Sequence, residues 1–228
     1  YAFFNCSSLT NITIPDSVTY IGDDAFRNCT GLTSVIMGNG VTSINGFFNL
    51  QDTNLTSFTI GNSVTSTYGL FYNCTSLTSV IIGNSVTRID EQTFYGCTSL
   101  TSVIIPDSVT QIEPDAFYGC TSRTSVIIGN SVTRIDSQAF YGCIGLTSVT
   151  IPDSVNFIGN NAFEQCSLLE RVYFMGHRPS FGGSFNSSGI ETTFYRMPNK
   201  DFGGEIDGIS VQLLTSEANL ALLAYIQD

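Results

Sequence analysis

The stretch CTSLTSVIIPDSVTQIEPDAFYG, residues 97–119, decides the fold because it is one copy of a repeat. Residues 74–96 read CTSLTSVIIGNSVTRIDEQTFYG, and residues 120–142 read CTSRTSVIIGNSVTRIDSQAFYG. These two flanking copies differ at only three of 23 positions, one of which places Arg123 where the other copy has Leu77. A fixed period of this length predicts a solenoid, in which each unit packs only on its neighbours.

Two columns of residues carry the period through most of the chain. Equivalent residues are 23 apart, except for a step of 22 between Leu55 and Leu77, and Asp52 stands where a further cysteine would fall. Residues 45–73 are therefore predicted to be the irregular part of the array. The cysteine column is Cys6, Cys29, Cys74, Cys97, Cys120, Cys143 and Cys166. The leucine column is Leu9, Leu32, Leu55, Leu77, Leu100, Leu146 and Leu169, with Arg123 in the remaining place.

The apolar residues inside one unit predict a short strand. Val103 and Ile105 alternate with Ser102 and Ile104, which is the period of two expected of a strand with one buried side. The Pro-Asp or Gly-Asn pair that follows is typical of a turn. The segment EPDAFYGC, residues 113–120, predicts a single helical or 3₁₀ turn, with a proline near its start and a glycine near its end.

Stacking such units predicts an α/β fold class, a right-handed leucine-rich-repeat solenoid of mostly short parallel strands with short helical or 3₁₀ turns. The array is expected over residues 1–174, with about eight repeats of which the first is truncated. Residues 175–214 are expected to form a degenerate terminal repeat or cap. Residues 215–228 are expected to form a C-terminal helix or linker, because Leu220, Leu223 and Ile226 recur at helical spacing.

Composition excludes several classes of partner. The formal net charge is −11, with one lysine and one histidine among 228 residues. Such a chain repels phosphate backbones and anionic lipid headgroups, so neither nucleic acid nor a membrane surface is an expected partner. No apolar run approaches the length of a membrane span. The first residues already belong to a repeat, which predicts that the chain begins inside the array, so the lack of a signal segment says nothing about location.

Residues 100–120 follow the pattern Leu-x-x-Val-x-Ile-Pro-x-x-Val-x-x-Ile-x-x-x-Ala-Phe-x-x-Cys. This pattern resembles the BspA-like leucine-rich repeats of microbial surface proteins, and the resemblance covers residues 1 to about 174. The stretch after it, residues 172–204, resembles the degenerate terminal repeat of such arrays. The resemblance implies a secreted or cell-surface protein that binds a protein or glycoprotein on a host cell or matrix, and it implies no enzymatic activity. No cofactor is predicted, and the oligomeric state stays open.

The cysteines are interpreted as buried free thiols that act as small hydrophobic side chains. Stacked identical residues point their Cβ atoms in the same direction, about 4.8 Å apart, which is too far for a disulfide. A spacing of 23 residues is not typical of zinc ligands, and a single histidine adds little. The acidic residues of the turns share their place with asparagines, which indicates a turn position. No metal site is predicted.

Catalytic residues are not predicted. His177 is the only imidazole in the chain, and Ser180 lies near it in sequence. Neither a Gly-x-Ser-x-Gly motif nor a base with an orienting partner accompanies them.

The sheet of first strands is expected on the concave face of the solenoid, and its outward positions are the candidate binding residues. Serines and isoleucines alternate there, so small hydroxyls lie beside an exposed apolar row of the kind that marks interaction sites. The alternative is that β-branched residues simply suit exposed strands. The candidates are Ser79, Ile81, Ser102, Ile104, Ser125, Ile127 and Tyr173.

Two further predictions concern side chains away from these strands. Tyr72, Tyr95, Tyr118 and Tyr141 each follow a core phenylalanine and are expected to pack flat on one another. Arg123 is expected to lay its stem over apolar neighbours while its guanidinium reaches water.

The predicted function is a non-enzymatic binding module, and the alternative is a passive spacer that displays another domain.

Overall fold

The period of the sequence is the step between neighbouring strands in the structure. In the computed structural model, which describes residues 1–44, 53–122, 125–185, 193–196, 205–206 and 209–213, strands pair in parallel with a shift of one repeat. Ser79 pairs with Ser102 across a regular step of 23 residues, and Ser57 pairs with Ser79 across the short step of 22 residues. The predicted parallel solenoid is confirmed.

The described part of the chain contains short strands and no helix. The strands are β1 (Asn11–Ile14), β2 (Tyr20–Ile21), β3 (Ser34–Met37), β4 (Ser43–Ile44), β5 (Ser57–Thr59), β6 (Ser79–Ile81), β7 (Arg88–Ile89), β8 (Ser102–Val103), β9 (Gln111–Ile112), β10 (Ser125–Val126), β11 (Arg134–Ile135), β12 (Ser148–Ile151), β13 (Phe157–Ile158), β14 (Arg171–Phe174), β15 (Ser180–Phe181), β16 (Thr193–Arg196), β17 (Glu205–Ile206) and β18 (Ile209–Leu213).

The first strands of the described repeats belong to one ladder, here called the first-strand ladder. It consists of the sheet β1-β3-β5-β6-β8 and the sheet β10-β12-β14-β16-β18-β17, which a bridge between Ile104 and Ile127 connects. All of its pairs are parallel except β17 with β18, which is antiparallel. The ladder therefore continues into the region predicted to be a degenerate terminal repeat. The predicted C-terminal helix or linker, residues 215–228, lies outside the described residues.

The second strands form a separate ladder on another side of the solenoid. It consists of the sheet β7-β9-β11-β13-β15 and the pair β2-β4. No strand of the described chain links β4 to β7, so this ladder is interrupted at the repeat that is one residue short.

The turns before the cysteines supply a third set of bonds between repeats. In the segment predicted to be helical, alternate backbone N–H groups donate to the next repeat, as that of Phe117 does to the carbonyl of Ala139 at 2.7 Å. The intervening N–H groups donate within their own repeat and so form turns. The N–H of Tyr118, for example, donates to the carbonyl of Asp115 at 3.1 Å. Asp115 and Gly119 have φ values of 56° and 70°, and left-handed residues at this spacing prevent a continuous helix. Successive turns therefore replace the predicted helical or 3₁₀ turn.

Identical apolar side chains stack in columns through the interior. Phe117 packs between Phe94 and Phe140, with ring centroids 4.9 and 5.0 Å apart and nearly parallel planes. Offset stacking of this kind stabilises aromatic pairs beyond the burial of their area. The other fully buried or nearly fully buried side chains of this repeat are Leu100, Val103, Ile105, Val109, Ile112, Ala116 and Cys120.

A polar network replaces the second strand in the short repeat. The sequence has one residue fewer between Val64 and Phe71 than between the equivalent residues of the next repeat. The carboxylate of Asp90 accepts the backbone N–H of Thr67 at 2.6 Å and the hydroxyl of Ser66 at 2.9 Å. The predicted irregularity is therefore confirmed within residues 64–71, while residues 45–52 lie outside the described part.

The same network explains one difference between the repeat copies. Thr93 occupies the place that Ala116 and Ala139 hold in the next repeats. Its hydroxyl is buried, 2.7 Å from the carbonyl oxygen of Asp90 and 3.0 Å from the hydroxyl of Thr67. Thr93 thus satisfies buried polar groups that the regular repeats do not contain.

Candidate binding face

The six central candidates lie together on the outer side of the first-strand ladder. This surface, called the Ser/Ile face below, consists of Ser79, Ile81, Ser102, Ile104, Ser125 and Ile127, and all six are exposed. Ile81, Ile104 and Ile127 are 66%, 62% and 57% exposed. Neighbouring rungs are about 4.8 Å apart, so the three isoleucines form one continuous aliphatic row.

The surface changes character at both ends of this row. Towards the N-terminus, Thr59 is half-buried and Ile36 is 51% exposed. Towards the C-terminus, the half-buried Thr150 separates Ile127 from Tyr173, the seventh candidate. Tyr173 therefore does not belong to the Ser/Ile face.

Tyr173 belongs instead to an aromatic and charged end of the ladder. Its ring stacks on that of Tyr195 with centroids 5.1 Å apart. Partial burial raises its pKa, an effect that the nearby Arg171 opposes. Arg171 itself contacts the carboxylate of Glu170 at 3.5 Å, and both side chains are largely exposed.

A column of turn residues runs along one edge of the Ser/Ile face. In this turn column, the side-chain oxygen of one residue accepts the backbone N–H of the equivalent residue in the next repeat. Asp107 accepts from Asn130 at 2.6 Å, and Asn62 accepts from Asn84 at 3.0 Å. Aspartate and asparagine both offer this oxygen, which explains why the position accepts either residue.

Threonine hydroxyls tie the strands together at the start of each rung. The hydroxyl of Thr78 donates to the carbonyl of Thr56 at 2.9 Å, and that of Thr101 donates to the carbonyl of Thr78 at 3.3 Å. The same carbonyls also accept backbone N–H groups. The Ser/Ile face therefore rests on a strand ladder that is hydrogen-bonded across each step.

The seven thiols are free, and all except Cys6 are buried, as the sequence predicts. Their hydrogen-bonding role was missed. The thiol of Cys120 donates to the carbonyl of Phe94 at 3.2 Å, and Cys97, Cys143 and Cys166 repeat this contact with their own phenylalanine carbonyls. Burial raises the pKa of Cys74 to about 12. The Cys74 thiol is therefore held protonated inside the core, where it is unsuited to nucleophilic chemistry.

The remaining sequence candidates are placed as structural residues. The rings of Tyr95 and Tyr118 stack with centroids 4.7 Å apart, and this column of half-exposed tyrosines confirms the flat packing expected of it. The hydroxyl of Ser180 donates to the carbonyl of Asn156 at 3.1 Å, and His177 is exposed. Arg123 lies outside the described residues, and its expected orientation stays a prediction.

Charged residues on the second-strand ladder were not singled out from the sequence. Arg134 donates twice to the carboxylate of Asp136, at 2.6 and 2.7 Å, and its guanidinium lies 4.0 Å from the ring centroid of Phe157. This hydrogen-bonded carboxylate raises the pKa of Arg134. Arg88 pairs with Glu113 at 3.1 Å. The signal was the motif Arg-Ile-Asp, because residues two apart on a strand point to the same side.

The described residues include neither a group of three or more His, Cys, Asp and Glu side chains placed to hold a metal ion nor a helix able to cross a membrane.

A family model of the BspA type leucine rich repeat region matches the chain in six copies, over residues 1–120 and 67–190. The chain belongs to the BspA-type leucine-rich repeat family. Repeats of this family commonly mediate protein interactions, and their solenoids are typically not catalytic. No curated protein is significantly similar to the chain.

Solved bacterial leucine-rich repeat proteins share the fold. A leucine-rich repeat protein from Bacteroides ovatus is 30% identical with a TM-score of 0.68, over 92% of this chain and 49% of that protein. The Treponema pallidum leucine rich repeat protein is 25% identical with a TM-score of 0.56, over 75% of this chain and 72% of that protein. The chain therefore spans about half the length of the Bacteroides protein.

Proposed function

We propose that the chain is a non-enzymatic binding module that acts at the cell surface or after secretion, and that engages a protein or glycoprotein on a host cell or matrix. The observation that carries this proposal is the row of exposed isoleucines, Ile81, Ile104 and Ile127. Contiguous exposed apolar side chains on a folded domain mark interaction sites. The family, whose repeats commonly mediate protein interactions, supports the same function.

The hydrogen-bonded strands that carry these side chains favour binding. Each strand of the central rungs is hydrogen-bonded to both neighbours, so the side chains are already ordered before a partner arrives. Association then loses less conformational entropy than it would at a mobile loop. Three adjacent isoleucines also provide a centre from which water can be excluded, which binding hot spots require.

The alternative is a passive spacer that displays another domain. Its support is that β-branched residues suit exposed strands whether or not anything binds them. Backbone hydrogen bonds also join each repeat to its neighbours along the regular part of the array, as expected of a spacer.

Replacement of Ile104 by arginine separates the two functions. Ile104→Arg should weaken capture of a matrix or mucin partner by about tenfold or more, because a guanidinium would enter the desolvated centre. Stability should change by less than about 0.5 kcal/mol, since the side chain points away from the core. Binding is measured by surface plasmon resonance, and stability by thermal unfolding.

Two control variants carry changes on other surfaces. Ile144 is 46% exposed outside the Ser/Ile face, so Ile144→Arg makes the same chemical change elsewhere. Tyr118→Ala alters the stacked tyrosines. Both should bind as the parent does. If Ile104→Arg also binds as the parent does, the binding face is rejected and the spacer is favoured.

A further inference from the structure

The Ser/Ile face is the centre of a long, narrow and neutral surface on the first-strand ladder. From Asn11 to Thr150, the described outward positions of the first-strand ladder carry no ionisable side chain, although the net charge of the chain is −11. The central strands β6, β8 and β10 are only two or three residues long, so the face is about 7–10 Å wide. The rungs from Ile36 to Ile127, here called the isoleucine-bearing rungs although the Thr59 rung among them carries threonine, span four steps, or about 19 Å.

We propose that the occupant of this face is one amphipathic α-helix of a partner protein, with an apolar stripe against the isoleucines and lysine or arginine beside the turn column. This inference rests on the proposed function and names the class of partner.

The dimensions of a helix match those of the face. A helix is about 10–12 Å across and rises about 1.5 Å per residue, so about 13 residues cover the isoleucine-bearing rungs. Apolar residues at the i, i+3/i+4 and i+7 positions follow each other about every 5.2 Å along a helix axis. The rungs are about 4.8 Å apart, so the two periods differ by less than half a rung over the whole contact.

An extended strand is a poorer occupant because of its backbone. The N–H and C=O groups of the central strands bond to neighbouring rungs, and the face offers only side chains. An extended segment laid over Ile81 and Ile104 would press its own unpaired backbone groups against methyl groups, and unpaired buried backbone groups are costly. A helix satisfies its backbone internally and meets the isoleucines with side chains alone.

Charge decides between a second copy of this chain and another partner. Two copies facing each other would each bring a net charge of −11 to the interface. Beside the isoleucine-bearing rungs the turn column holds one exposed aspartate, Asp107, and the exposed Asp16 and Asp153 continue the column beyond the two ends. A partner with cations on that flank gains attraction where a second copy meets repulsion.

The test uses three synthetic peptides of about 15 residues, long enough to cover the isoleucine-bearing rungs. The first is a cross-linked helix with leucines at helical spacing and lysines along one flank. The second replaces those lysines by glutamates. The third keeps the leucines and lysines of the first but has prolines at its centre, which abolish the helix. Binding to the whole chain is measured by fluorescence anisotropy at low and high salt.

At low salt, we expect the lysine-flanked helix to bind at least about tenfold more tightly than either other peptide. At high salt, the difference in affinity between the lysine-flanked and glutamate-flanked helices should be smaller. Ile104→Arg should remove binding, and Ile144→Arg should not. Asp107→Asn should reduce the preference for lysine over glutamate at unchanged stability, because asparagine holds the same place at Asn84 and Asn130.

Equal binding by the proline-containing peptide would overturn the helix, and equal binding by the glutamate-flanked helix would overturn the charge assignment. If a natural partner depends on Ile104 while no helical peptide binds, the helix inference is wrong and the proposed function stands. If neither depends on Ile104, both are wrong.

Discussion

Five buried cysteines, Cys29, Cys97, Cys120, Cys143 and Cys166, each donate two hydrogen bonds, one from the backbone and one from the thiol. The backbone N–H of Cys120 donates to the carbonyl of Phe117, and its thiol donates to the carbonyl of Phe94 in the preceding repeat, both at 3.2 Å. Since a carbonyl oxygen has two lone pairs, one phenylalanine carbonyl serves both its own turn and the next repeat. The thiol thus gives the cysteine column a hydrogen-bond donor that alanine or valine would lack.

The buried thiols predict a loss of stability in mild alkali. The pKa of Cys74 is about 12 in the folded state, whereas an unfolded thiol ionises near about 8.5. Above that pH the unfolded chain loses a proton that the folded chain retains, so the free energy of unfolding falls as pH rises. Each such thiol should contribute a decrease of about 1.4 kcal/mol per pH unit in this range.

Thermal unfolding between pH 7 and 10 measures this effect. Cys97→Ala removes one buried thiol and should make the decrease less steep, although the variant is less stable at pH 7. An unfolding midpoint that stays constant up to pH 10 would contradict the assignment of buried, protonated thiols.

Thr93 offers a second test at the same scale. Thr93→Ala should reduce the free energy of unfolding by about 1–2 kcal/mol. The substitution removes a buried hydroxyl that is hydrogen-bonded to the carbonyl of Asp90 and the hydroxyl of Thr67. Thr93→Val should have a similar effect, since it keeps the shape and loses the hydroxyl. Urea unfolding measures both. Alanine occurs naturally at Ala116 and Ala139, so an unchanged stability would show that the polar network contributes nothing.

The sequence predicted which side chains of a strand face inward, because alternation depends only on the pleat. Val103 and Ile105 are buried and Ile104 is exposed, as the period of two requires. The left-handed residues were missed because their position holds Asp115, Gln138 and Asn161, polar residues that occur in turns of many kinds. A polar residue in a turn does not by itself reveal the sign of φ.

At the scale of elements, the interrupted second-strand ladder divides the array. Regular repeats are joined through two strand ladders and the turn hydrogen bonds, whereas β4 and β7 have no strand between them in the described chain. The short step of 22 residues in the sequence predicted where the second-strand ladder is interrupted. The hydrogen-bond network around Asp90 was not predictable, because it depends on side-chain contacts between two repeats.

Hydrogen exchange should reveal this division. Amides in residues 62–72 should exchange faster than those in residues 97–122, because fewer ladder bonds must break to open the short repeat. Mass spectrometry of peptic fragments resolves the two segments. Slower exchange in residues 62–72 would mean that the polar network is stronger than the strand that it replaces.

For the whole molecule, a repeat should be removable. Deleting residues 97–119 joins Gly96 to Cys120 and leaves every remaining residue one register step from an equivalent neighbour. The shortened chain should fold with about the same fraction of its residues in strands, since each repeat is stabilised by its neighbours alone. Circular dichroism and thermal unfolding measure this.

The matched control deletes residues 97–108, half of one repeat. It should fold poorly, because the strand and turn of one unit would no longer follow each other. If the whole-repeat deletion is as damaging as the half-repeat deletion, stability does not depend on neighbouring repeats alone.

The ladders of bonds between repeats also determine how the molecule would respond to force. Tension applied to its two ends acts first on the outermost rung. The hydrogen bonds of that rung break one after another before the next rung is loaded. Each released repeat of 23 residues would extend by about 75 Å, less the roughly 4.8 Å that it occupied in the stack. A solenoid that is stiff at rest therefore becomes, under load, a tether that lengthens one repeat at a time.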